Sequence, residues 1–167
     1  MFCDPFRRFR THGCRGGVTE VIPNSPSDPA LCTEGQGPGG SCGPNEVWSY
    51  GDDVQPVLEK YIRLRNDVLA PYVQELARNV SKRGVVTMRS LSYEFPRDAE
   101  AVGIDDQFLL GPDYLVAPVV DQGHVHRYMY FPAGVDWVNY WTGERVQGGI
   151  WRNESAPIDV LPLFRRA

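Results

Sequence analysis

Between Val54 and Val80 the apolar residues Val54, Leu58, Ile62, Leu69, Tyr72, Val73, Leu76 and Val80 recur at steps of three and four. That spacing lines one face of a helix, and it predicts a long helix over 52–83. Asp52 or Asp53 is the expected N-cap, and Pro56 stands in the first turn, where its missing N–H costs nothing. Lys82-Arg83-Gly84 supplies a basic last turn and a glycine stop. Pro71 removes one helical hydrogen bond, so a kink or a split into two helices is expected near Ala70.

Past Gly84 the period shortens to that of strands. Val85–Phe95, Phe108–Leu110, Tyr114–Val120, Tyr128–Phe131 and Trp137–Trp141 are short β-type runs bounded by Gly, Pro or Asp. Pro132-Ala133-Gly134 and Thr142-Gly143 are turn signals of the kind that fold successive strands antiparallel, so the C-terminal third reads as all-β. Residues 14–46 differ from both regions: they lack periodicity and are punctuated by Gly-Gly, Asn-Ser-Pro and Gly-Pro, which predicts a long loop.

Composition narrows the classes. At 167 residues, 42% hydrophobic and 23% charged, the chain is long enough to bury a core and too apolar for wholesale disorder. A net charge of −4 without a dominant basic run argues against nucleic acid as a partner and favours a neutral polar ligand. No apolar run approaches the roughly 18–20 residues that cross a bilayer, so no membrane partner is expected. Cys3, Cys14, Cys32 and Cys42 all fall in the first 42 residues. Their wide, irregular spacing does not suit zinc; disulfides stapling the loop, or reduced thiols, are the two readings. The sequons Asn79-Val80-Ser81 and Asn153-Glu154-Ser155 are compatible with a secretory or extracellular location, which stays unassigned.

Candidate chemistry is sparse. Catalysis by carboxylates, as acid, base or nucleophile, needs a pair aimed at one bond. Asp105 and Asp106 are neighbours whose side chains point to opposite sides of an extended segment, and they read as turn and cap residues. Glu94, late in a strand-like run, reads as an ion-pair or hydrogen-bond anchor. His124 and His126 lack acidic or cysteine partners at metal spacing and are expected on a solvent face. Trp137, Tyr140, Trp141 and Trp151 could stack on sugar rings, but core packing is favoured for them. His12, between Arg10 and a glycine, reads from spacing alone as structural.

Motifs in order along the chain shift that balance. Phe9-Arg10-Thr11-His12-Gly13, YIRLRNDVLAPYV, TMRSLSYEFPRD, IDDQFLLGPDYLVAPVV, PAGVDWVNYWTGERVQGG and APIDVLPLFRRA together resemble glycoside hydrolase family 31. Departures are Ser90 where proline is usual and Asn139 where an acidic residue is common. The resemblance implies the C-terminal portion of a (β/α)8 TIM barrel followed by an antiparallel β-sandwich segment. Residues 1–112 would be barrel, with the loop at 14–46, a helix at 52–83 and a strand at 85–95. Residues 113–167 would begin the proximal C-terminal β-sandwich.

By the same resemblance, His12 would hydrogen-bond sugar hydroxyls next to the scissile bond, with Arg10 beside it bracing the loop. The substrate would be an α-linked oligosaccharide or glycoside, as for an α-glucosidase or α-xylosidase. The family's two carboxylate signatures, W-x-D-x-N-E and G-x-D-x-x-G-F, do not occur in the sequence. A fragment of a retaining α-glycosidase is therefore expected: no catalytic residue of its own, no metal, no cofactor, and a missing N-terminal part of the barrel. The alternative is a non-catalytic β-sandwich that binds carbohydrate or packs on a partner.

Overall fold

The computed structural model describes residues 52–167. The expectations for the loop 14–46, the four cysteines, Arg10 and His12 lie outside the described residues. The chain divides into two compact units, Met1–Tyr72 and Val73–Ala167.

The helical region begins with α1 (Gln55–Arg63), continues through one π-helical stretch (Leu64–Leu69) and ends in α2 (Ala70–Arg83). Of the predicted apolar stripe Leu69, Val73 and Leu76 are buried, while in the first half Tyr61 and Leu64 are buried in place of Leu58 and Ile62; the step of five from Leu64 to Leu69 spans the π-helical stretch. The N-cap differs from expectation. Val54 holds that position with no side-chain hydrogen bond, and Asp52 and Asp53 lie in the preceding turn. Pro71 does split the helix, but upstream of itself. Its ring denies the Asp67 carbonyl a donor, and the widened turn places the Ala70 N–H on Arg65 O instead. At the far end Gly84 takes φ +66° and its N–H closes on Val80 O at 2.9 Å, the glycine stop that was predicted.

The β region consists of β1 (Met88–Ser90), β2 (Phe108–Leu110), β3 (Tyr114–Val116), β4 (His126–Phe131), β5 (Trp137–Asn139), β6 (Arg145–Val146), β7 (Ile150–Ser155) and β8 (Leu163–Arg166). Two short helices, α3 (Leu91–Glu94) and α4 (Ala99–Val102), lie between β1 and β2. One sheet runs β1-β2-β3-β8-β5-β6, and β4 and β7 form a second; every pairing is antiparallel. The C-terminal strand β8 sits between β3 and β5 and joins the two halves of the larger sheet. The division expected at residues 112 and 113 falls inside this sheet, with β1 and β2 before it and β3 and β8 after.

Several expected strands are shorter, each for a local reason. The run 85–95 is a strand only over Met88–Ser90. The Ser90 hydroxyl then accepts the Tyr93 N–H at 3.2 Å and starts α3 in place of further strand. The strand from Tyr114 stops at Val116, two residues before Pro118, which has no N–H to extend the ladder. The strand from Trp137 stops at Asn139. There Asn139 Oδ1 accepts the N–H groups of Trp141 and Thr142, at 2.9 and 3.1 Å, and turns the chain toward Gly143. Trp137, Phe131, Phe164, Leu109, Leu115 and Met129 form the fully buried centre between the sheets, with Phe131 edge-on to Phe164 at 4.7 Å.

Candidate functional site

The densest polar constellation gathers where β1, α3 and β8 meet. Because Ser90 bends the chain into α3, Glu94 returns over its own strand, and Arg89 Nη1 donates to Glu94 Oε2 at 2.6 Å. Arg166, on β8, donates to the other oxygen at 3.0 Å. Its guanidinium carbon also lies 5.4 Å from the Phe95 ring centre and 5.9 Å from that of Trp137. Glu94 is thus held by two cations, one per oxygen, which is the anchoring role expected of it.

A second knot ties α4 and β2 to the smaller sheet. Asp98 accepts the Tyr130 hydroxyl (2.9 and 3.1 Å to its two oxygens) and the Ala133 N–H (2.8 Å). Burial, then the hydrogen bond to Asp98, then the charges of Asp98 and Glu100 push the Tyr130 hydroxyl up to about 12. Gln107, itself buried, donates to Tyr130 O at 2.9 Å and accepts from Tyr130 N at 2.8 Å, standing in for a missing strand.

From β7, Arg152 grips Glu144, just ahead of β6, with two bonds of 2.8 and 3.0 Å and places its Nε 2.7 Å from Glu154 Oε1. The hydrogen bond from Arg152 holds the Glu144 carboxyl below its ordinary range. Burial pushes Glu154 up, against the pull of Arg152.

The other candidates fall as follows. Asp106 pairs with Arg127, and Asp105 is exposed. His124 and His126 are exposed, with His124 Nδ1 3.6 Å from Asp121, in keeping with a solvent face. The aromatic group divides. Trp137 is buried completely, and Trp141 is half-buried with its Nε1 donating to Leu161 O at 2.7 Å. Trp151 corrects the expectation of core packing: it is exposed on β7 and stacks on Tyr128. An open depression of about 350 Å³ is lined by Gly134, Val135, Asp136, Gln147 and Gly148, with one carboxylate in its wall. No group of three or more metal-ligating side chains occurs among the described residues, and no helix there is long and apolar enough to cross a membrane.

Sequence reasoning missed Asp98 and Gln107 as organisers. Both stand in the motifs quoted above, FPRD and IDDQF, and that placement was the available signal. Every carboxylate in these knots already holds a cation or a backbone and hydroxyl donor. From residue 88 onward the described part is a two-layer antiparallel β domain with polar braces.

The model of the glycosyl hydrolase family 31 C-terminal domain matches residues 84–167, and the chain belongs to that family. It is 38% identical over 119 residues to alpha-glucosidase 2 of Bacillus thermoamyloliquefaciens, covering 71% of this chain and 15% of that protein. It is 34% identical over 128 residues to an alpha-xylosidase of Saccharolobus solfataricus, covering 77% and 17%. Among solved structures, a family 31 alpha-xylosidase from a soil metagenome, complexed with xylose, superposes with TM-score 0.74 at 36% identity, over 84% of this chain and 21% of that one. The chain thus spans less than a fifth of the length of these two curated relatives.

Proposed function

We propose that the chain is the C-terminal part of a retaining α-glycosidase, with the segment upstream of residue 84 completing a (β/α)8 barrel and residues 84–167 forming the β domain behind it. The observation that carries the reading is the family match over residues 84–167, joined to the occupied state of Glu94, Asp98 and Glu144, which act as braces. The substrate class is an α-linked glucoside or xyloside, as the names of the relatives suggest.

In this reading the nucleophile and the acid/base come from barrel strands upstream, and the reaction passes through a glycosyl-enzyme intermediate. His12 and Arg10 border the pocket, His12 as a hydrogen-bonding partner of sugar hydroxyls. Within the β domain, Glu94 ties α3 to the C-terminal strand.

The test is an assay with 4-nitrophenyl α-glucoside and α-xyloside. The 167-residue chain alone should release no nitrophenol, and the same chain continued upstream by the barrel should turn over one of the two. In that longer protein, His12→Ala should lower kcat/KM about 10- to 100-fold, as expected for a lost hydrogen bond in the transition state. Turnover by the isolated chain would refute the reading.

A further inference from the structure

The outer face of the β4–β7 pair carries an arrangement that glycosidase chemistry does not use. Strand alternation and register put His126, Tyr128 and Tyr130 of β4 on the same side as Trp151, Asn153 and Ser155 of β7. Tyr130 lies opposite Trp151, and Tyr128 lies opposite Asn153. The Trp151 indole stacks on Tyr128 at 5.1 Å and 13° and leans on Tyr130 at 5.3 Å and 45°; its Nε1 donates to Glu100 at 3.1 Å. These contacts fix the plane of Tyr128. Trp151 covers one side of that ring, yet Tyr128 remains 58% exposed. Trp151 stands on the Tyr130 side of Tyr128, so the open side of the ring faces the His126–Ser155 end of the strand pair, and Asn153 stands directly opposite Tyr128, its Cβ about 5 Å across the ladder. Asn153 and Ser155 are both exposed, and with Glu154 they form the sequon Asn153-Glu154-Ser155.

We propose that Asn153 is an N-glycosylation site and that its first N-acetylglucosamine packs its apolar face on the free side of Tyr128. The donor is a lipid pyrophosphate-linked oligosaccharide. Asn153 Nδ2 forms a bond to the anomeric carbon of the first sugar, the bond from that carbon to the pyrophosphate oxygen breaks, the lipid pyrophosphate leaves with the electron pair, and Nδ2 gives up one proton. A flat ring beside neutral polar side chains suits a sugar, which offers C–H groups to the ring and hydroxyls to the rim. The net charge of −4 disfavours a nucleobase with its phosphate on the same ring. The inference is independent of the hydrolase reading.

Two measurements test it. In glycopeptide mass spectrometry of the protein recovered from its source, the peptide containing Asn153 should carry N-acetylglucosamine. A bare Asn153 overturns the site, whether or not Asn79 is modified. In glycoprotein trimmed to a single sugar, the N-acetylglucosamine protons on Asn153 should be shifted upfield by the Tyr128 ring and return to their free positions in Tyr128→Leu. Tyr128 is exposed, so this variant should keep the fold. Sugar signals at their free positions in the unsubstituted protein overturn the packing.

Discussion

Glu94 and Arg166 are separated by 72 positions in the chain and by 3.0 Å in space. The bond ties the end of α3 to the last strand, and β8 in turn lies between β3 and β5. Arg166 is further clasped by the rings of Phe95 and Trp137. Removing the carboxylate strands two guanidinium groups in a partly buried setting. Glu94→Gln should therefore lower stability by about 2 kcal/mol, with a lower denaturation midpoint and an unchanged m-value.

Gln107 bonds both backbone groups of Tyr130. Gln107→Leu keeps the side chain's bulk but leaves a buried N–H and a buried carbonyl unpaired. A loss of about 2–4 kcal/mol is expected, and the Tyr130 amide should exchange with solvent faster than its neighbours in β4.

Gly148 has no room for a side chain: a Cβ there would stand 2.2 Å from Val135 O and 2.4 Å from Pro132 O. Both neighbours are backbone atoms and cannot rotate away. Gly148→Ala should cost about 2–3 kcal/mol by overpacking, whereas Ala at Gly103, where nothing lies within 4 Å, should be close to neutral on thermal melting.

Alkaline stability should report on Tyr130, whose hydroxyl is raised from 10.0 to about 12. Below pH 10 the stabilisation is fully present. Between pH 10 and about 12 the unfolded chain releases a proton that the folded chain keeps, so stability falls as pH rises. Tyr130→Phe should flatten that fall, with a remainder from Tyr114, whose pKa burial also raises. Acid unfolding is a poorer readout. Glu144 loses stabilisation as pH falls, while Glu154, shifted upward, works in the opposite sense.

Much of this was legible from the residues. The helix, its glycine stop at Gly84, the β character after it and the anchoring role of Glu94 follow from spacing and local chemistry. The partner of Glu94 did not, because an ion pair spanning 72 residues leaves no periodic trace. The end of β1 at Ser90 was hidden for a different reason: a single hydroxyl capturing the Tyr93 N–H overrides a run of strand-forming residues. Trp151 was placed with the core because an aromatic on a strand gives no sign of which face is solvated; its register opposite Tyr130 decides that. The sugar-binding assignment of His12 and Arg10 rests on motif resemblance, and both residues lie outside the described part.

The most direct test of the account is the transcript of the source organism, read upstream across the codon for Met1 far enough to cover about six barrel strands. The account predicts a continuous open frame encoding both carboxylate signatures, with this chain as its C-terminal part. A stop codon in frame just before Met1 would contradict it, leaving a β domain of the family without the groups that cleave a glycosidic bond.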